Sequence, residues 1–138
     1  MKLKKITILS LILICFAFLI SACTNQTNIY QVEKKIGDNT VVLQIKNNPP
    51  IQGKNEVEVR ILDSTKMPAK DASVSSLEYA MPAMNGMPAM KYTAEMMLDN
   101  NSYKGSVDFS MSGSWTINVM ITQAGDQSQQ VDFNVDVK

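Results

Sequence analysis

Histidine is absent from this 138-residue sequence, which also holds only two cysteines and one tryptophan. Each shortage excludes something. Without imidazole the chain loses the usual general acid–base group at neutral pH and the commonest ligand for Zn(II) and Cu(II). Cys15 lies inside an apolar N-terminal run and Cys23 follows directly after it, so neither is placed for a disulfide framework. No nucleophile motif is present either. Together these gaps remove the commonest catalytic arrangements, and the expectation is a binding protein, not an enzyme. No convincing amphipathic helix is found. Formal charge is balanced, with 13 basic and 13 acidic residues.

The N-terminus has Lys2, Lys4 and Lys5 followed by an almost wholly apolar Ile6 to Ile20, the pattern of an export signal. The apolar run is shorter than the roughly 20 residues needed to span a bilayer. It stops at Ile20-Ser21-Ala22-Cys23, which resembles the bacterial lipobox, in which the cysteine is lipidated and becomes the first mature residue. The expected organisation is a lipoprotein signal peptide over 1–22, a lipidated Cys23 with a polar tether over 23–29, and one domain over 30–138. Two or more acyl chains on Cys23 would anchor the protein stably on the extracytoplasmic side of a bacterial membrane. Three lysines leave with the signal, so the mature form carries 10 basic against 13 acidic residues, a net −3. That balance argues against nucleic acid and against a polybasic membrane-binding surface.

What the rest of the chain has is alternation. Val41, Leu43 and Ile45 alternate with Val42, Gln44 and Lys46, and Val57, Val59 and Ile61 alternate with Glu58 and Arg60. Later, Trp115, Ile117, Val119 and Ile121, then Val131, Phe133, Val135 and Val137, repeat the period of two that marks half-buried strands. A weaker strand near Tyr30 to Ile36, others over Ala72 to Tyr79, Lys91 to Leu98 and Tyr103 to Phe109, and short intervening turns give seven or eight strands. That count suits an all-β, immunoglobulin-like antiparallel β-sandwich with Trp115 as a core anchor.

Between two of these strands lies Met81-Pro82-Ala83-Met84-Asn85-Gly86-Met87-Pro88-Ala89-Met90, the same four residues twice around Asn-Gly. Pro82 and Pro88 exclude a helix. Asn85-Gly86 is a strong hairpin signal, and a type I′ turn there needs positive φ at both positions. A regular hairpin would pair Met84 with Met87 and Met81 with Met90, with the two pairs on opposite faces. An irregular backbone, which the prolines favour, could gather three or four sulfurs at one point.

The order of Asn-Glu-Val-Glu-Val-Arg-Ile-Leu-Asp (55–63), Met-Pro-x-Met, Tyr-x-Gly-x-Val-x-Phe (103–109) and Met-Ser-Gly-Ser-Trp-Thr-Ile-Asn-Val (111–119) resembles the YtkA-like domain. The resemblance implies a small extracytoplasmic β-sandwich, related to the FixH group and found beside copper-handling and efflux proteins. Members often carry a histidine after Met-Pro-x-Met. This chain has none, so the resemblance implies a thioether site.

The donor chemistry can be argued from the residues alone. Methionine sulfur is a neutral, soft donor suited to Cu(I) and Ag(I). Met81, Met84, Met87 and Met90 are therefore the candidate ligands, and Cu(I) the candidate cargo. Met96 and Met97 are candidate extra ligands, though their adjacency on a strand puts them on opposite faces; Met111 and Met120 read as packing or surface residues and Met67 as a loop residue. The alternative is a module without metal that docks its apolar loop on a membrane protein partner, such as an oxidase-assembly or efflux component. Methionine suits that role too, being flexible and favoured on adaptable surfaces. Glu56 and Glu58 read as a solvated edge, and Asp99-Asn100-Asn101 as ordinary turn composition.

Overall fold

In a computed structural model, residues 28–125 and 127–138 are described. The expected export signal and Cys23 lie outside them. The described chain forms nine strands and no helix: β1 Tyr30–Ile36, β2 Asn39–Ile45, β3 Gly53–Leu62, β4 Ala72–Met81, β5 Met90–Ala94, β6 Met96–Asp99, β7 Ser102–Phe109, β8 Gly113–Gln123 and β9 Gln127–Val137. They make two sheets, β1-β2-β3-β7-β6 and β5-β4-β8-β9. All pairings are antiparallel. The all-β sandwich is as the alternation implies, because each sheet has one apolar face that only the other sheet can cover.

The strand count is a correction: nine, not seven or eight. Lys91 to Leu98, expected as one strand, divides at Glu95. Ala94 pairs with Leu77 in the four-stranded sheet, whereas Met96 pairs with Gly105 in the five-stranded one. Residue 105 makes the crossing feasible. A Cβ there would lie 2.6 Å from Met96 Sδ and would also strike the Glu95 carbonyl oxygen, so only glycine lets the crossing chain pass this close.

Val57, Val59, Ile61, Trp115, Ile117, Val119, Val131, Phe133 and Val135 are all buried, as their period of two requires. Each such side chain contributes about 1.5–3 kcal/mol by leaving water. Val42 departs from the pattern, being buried although it faces away from the core. Its cross-strand neighbours are Glu33 and Arg60, whose long aliphatic stems can cover such a position.

The sandwich has two distinct ends. At one, the Gln52 side chain donates to the Ser110 carbonyl at 3.1 Å and the Gln52 amide to the Lys138 carbonyl at 3.0 Å. Ser110 Oγ in turn donates to Met90 Sδ at 3.4 Å, so the 46–52 loop, the 110–112 link, the C-terminal residue and the methionine repeat share that end. The buried Asn55 holds the 46–52 loop together. Its amide donates to the Ile51 and Gly53 carbonyls at 2.7 and 2.9 Å, and its oxygen accepts from Asn47 and from the Ile51 amide. At the other end, Asp38, the 63–71 loop and Asn101 line a shared depression.

Candidate metal centre

Strand β4 turns its odd residues Leu77, Tyr79 and Met81 into the core, and their partners on β5 are Ala94, Tyr92 and Met90. The same register runs on to Met84 opposite Met87. Those two residues exchange backbone hydrogen bonds, Met84 N–H to Met87 O at 3.1 Å and Met87 N–H to Met84 O at 2.9 Å. The Asn-Gly hairpin is therefore present, but its turn is not type I′. Gly86 has a φ of 83° while Asn85 stays out of the positive region, the sign pattern of a type II turn. That turn matches strand twist poorly, and Pro82 has no N–H to give across the ribbon. Residues 82–83 and 88–89 accordingly belong to no strand.

The four methionines stand in two cross-strand pairs at different depths. Met81 is 2% exposed, and its Cε lies 3.0 Å from where a Cβ on Gly113 would project. Met90 is half-buried, with its sulfur accepting the Ser110 hydroxyl. Met84 and Met87 are 48% and 38% exposed at the tip. Residues 82–89 carry no charge, so a soft cation approaching the tip meets thioethers, backbone and the Asn85 amide. Of the remaining methionines, Met96 and Met111 pack against the core, and Met67 and Met97 are exposed.

Beneath the hairpin lies an aromatic cluster. Tyr79 stacks on Tyr92 with centroids 5.3 Å apart, Trp115 is 5.2 Å from Phe109, 5.9 Å from Tyr79 and 6.3 Å from Tyr92. Trp115 Nε1 donates to the Met111 carbonyl at 3.0 Å, and Tyr79 Oη accepts the Asp108 amide at 3.2 Å. The cluster fixes the base of the hairpin. Sequence reasoning assigned Tyr79 and Tyr92 to strands but missed the cluster; their parity with Met81 and Met90 was the available signal.

The acidic candidates are engaged in surface ion pairs. Lys46, 2.8 Å from Glu56, holds that carboxyl below its ordinary range by hydrogen bond and charge. Glu58 lies 3.8 Å from Arg60. Asp99 pairs with Lys104 at 2.8 Å and raises the ammonium's pKa. Among the described residues no three His, Cys, Asp or Glu side chains converge to hold an ion. The donors on offer are sulfur.

A two-sheet sandwich presenting a thioether-bearing hairpin at one end is a small all-β domain that carries its candidate chemistry on a loop held by a rigid scaffold. Residues 33–120, well over half of the chain, match the YtkA-like family, and the protein belongs to it. Among curated proteins none matches. Among solved structures, a DUF4426 family protein from Pseudomonas aeruginosa is similar, with a TM-score of 0.53 at 12% identity over 77% of this chain and 93% of that one. Copper-reconstituted P19 from Campylobacter jejuni gives 0.50 at 9% identity over 80% and 96%. FetP from uropathogenic E. coli gives 0.48 at 9% identity over 78% and 95%. At these identities the likeness is one of fold.

Proposed function

We propose that this protein is a membrane-anchored extracytoplasmic binding protein whose methionine hairpin takes up Cu(I), for handling or delivery. The observation that carries the reading is the Met84–Met87 pair, two residues with soft donors whose backbones are held opposite each other by reciprocal hydrogen bonds and which are exposed on an uncharged tip. Cu(I) is the ion that two neutral thioethers suit, whereas Zn(II) and Cu(II) prefer imidazole, thiolate or harder ligands. Met84 and Met87 are the outer ligands in this reading. Met90, whose sulfur holds only a weak hydrogen bond, is the next donor inward, and Met81 supports the hairpin from the core and would join the ion only by leaving it. The copper in the P19 structure of similar fold adds weight to copper as cargo. An extracytoplasmic site accords with the expected export signal and with anchoring through Cys23.

Cu(I) titration under reducing conditions against a competing chelator tests this. Met84→Leu/Met87→Leu removes the sulfurs at nearly constant apolar volume and is expected to lower Cu(I) affinity by tenfold or more, while Met120→Leu leaves it unchanged. Unchanged affinity in the double variant would refute the site. The exposed apolar tip then favours the second reading, a docking loop for a membrane protein partner that uses no metal.

A further inference from the structure

The end of the sandwich that carries the hairpin is also the end from which the chain enters β1. Tyr30 pairs with Ile45, the last residue of β2 before the 46–52 loop. Its hydroxyl donates to the Asn134 carbonyl at 3.2 Å, and Asn134 is paired through Thr116 to Ala80, next to Met81. Six residues, 24–29, separate Tyr30 from Cys23. Even fully extended, the seven Cα–Cα steps from Cys23 to Tyr30 span no more than about 25 Å.

The chemistry of the two ends differs. The 46–52 loop, hairpin residues 82–89 and the 110–112 link contain no Asp or Glu side chain, and the charge of Lys46 is offset by Glu56. Ile51 at 46%, Met84 and Met87 are the exposed large apolar side chains there; Met67 and Leu98 are exposed at the opposite end, so charge and the tether are what distinguish the two. The nearest carboxylates are on the flanking strands: Glu56 is paired with Lys46, Asp136 accepts the Ser114 hydroxyl, and Asp108 follows Val107 on β7. The loops of the opposite end carry Asp38, Asp63 and Asp71 against Lys66 and Lys70. Anionic headgroups repel acidic loops and tolerate neutral or basic ones, and apolar side chains beside a short tether can settle at the headgroup boundary.

We infer that the hairpin end of the sandwich lies against the surface of the bilayer, with Met84, Met87 and Ile51 at the headgroups and the 63–71 loop pointing away. This rests on the lipid-anchor reading of Cys23 and is independent of copper. The occupant of the hairpin end is lipid, held there by the tether, so the end needs no high affinity of its own.

The test uses the full-length lipoprotein reconstituted in phosphatidylcholine–phosphatidylglycerol vesicles with brominated acyl chains. Asn85→Cys and Ser64→Cys each receive a nitrobenzoxadiazole label; both positions are exposed. The expected result is co-flotation of both proteins, a blue-shifted label at 85, and quenching there several-fold stronger than at 64. Adding Met84→Leu/Met87→Leu to the Asn85→Cys protein leaves that quenching in place. Equal quenching at the two positions, or more at 64, overturns the inference. So does absence of quenching at both positions in protein that floats with the vesicles, which would assign the end to a protein partner. Protein that does not float, or that takes up label on Cys23 without an added cysteine, instead defeats the anchor reading itself.

Discussion

Replacing Trp115 by alanine tests the packing that supports the hairpin. Trp115 is 1% exposed and lies among Tyr79, Tyr92 and Phe109. A buried tryptophan removes roughly 200 Å² from water, which at about 25 cal/mol per Å² is near 5 kcal/mol as an upper bound. Alanine retains a small part of this, and Tyr92, only partly buried, can lean into the cavity. The Met111 carbonyl loses its donor, adding about 1 kcal/mol. The expected net loss is about 3–5 kcal/mol, a large share of the roughly 5–15 kcal/mol that holds a domain this size. Trp115→Phe separates the two contributions, because it keeps a ring in the cluster and deletes only the N–H and part of the volume; about 1–2 kcal/mol is expected. Since Trp115 is the sole tryptophan, urea unfolding must be followed by far-UV circular dichroism. A loss below roughly 0.5 kcal/mol for the alanine variant is what surface substitutions give, and it would refute the placement of Trp115 and the support it gives Met111.

Other expected outcomes follow from single contacts. Met81→Ala should cost about 2–5 kcal/mol in urea unfolding and Met84→Ala less than roughly 0.5, because only the first side chain is buried. Gly105→Ala should cost about 1–3 kcal/mol, and truncating Met96 as well should not restore stability, because the Glu95 carbonyl still blocks the new methyl group. Asn55→Asp replaces a donor to two carbonyls with a carboxylate. Its folded-state pKa should rise above the unfolded value, so the variant's deficit against the parent is smallest below the unfolded pKa and grows as pH climbs to the folded pKa, which paired pH series of thermal melts would show. Cys23→Ala should abolish palmitate labelling of the full-length protein; equal labelling of variant and parent would remove Cys23 as the lipid site.

Where the apolar alternation is long and uninterrupted, the fold was readable. Strands β3, β8 and β9 present every second residue to the core, and one-dimensional periodicity carries that information completely. Asn85-Gly86 likewise announced its own turn, though not the turn type, because asparagine accepts either sign of φ and the pair is compatible with both type I′ and type II. The division at Glu95 was hidden for a different reason. Residues on either side of it both look like half-buried strand, and what separates them is the missing side chain at Gly105, ten residues further along. Met81 shows the same limit at the site itself: its thioether matches those of Met84 and Met87 in the repeat, and only its register opposite Met90, above Tyr79 and Tyr92, sends it inward.

The single-residue passage at Glu95 also has a mechanical meaning. Along that side the two layers are stitched by covalent chain, β5 in one and β6 in the other. Along the far side β1 and β9 meet through side chains, chiefly the Tyr30 hydroxyl on the Asn134 carbonyl and the Lys34 ammonium 5.8 Å above the Phe133 ring. The sandwich therefore has a spine and a free margin, like a bound book. The 63–71 and 110–112 connections also cross between the layers but join inner strands, so β1 and β9 form the margin with no covalent crossing, where the layers part most easily.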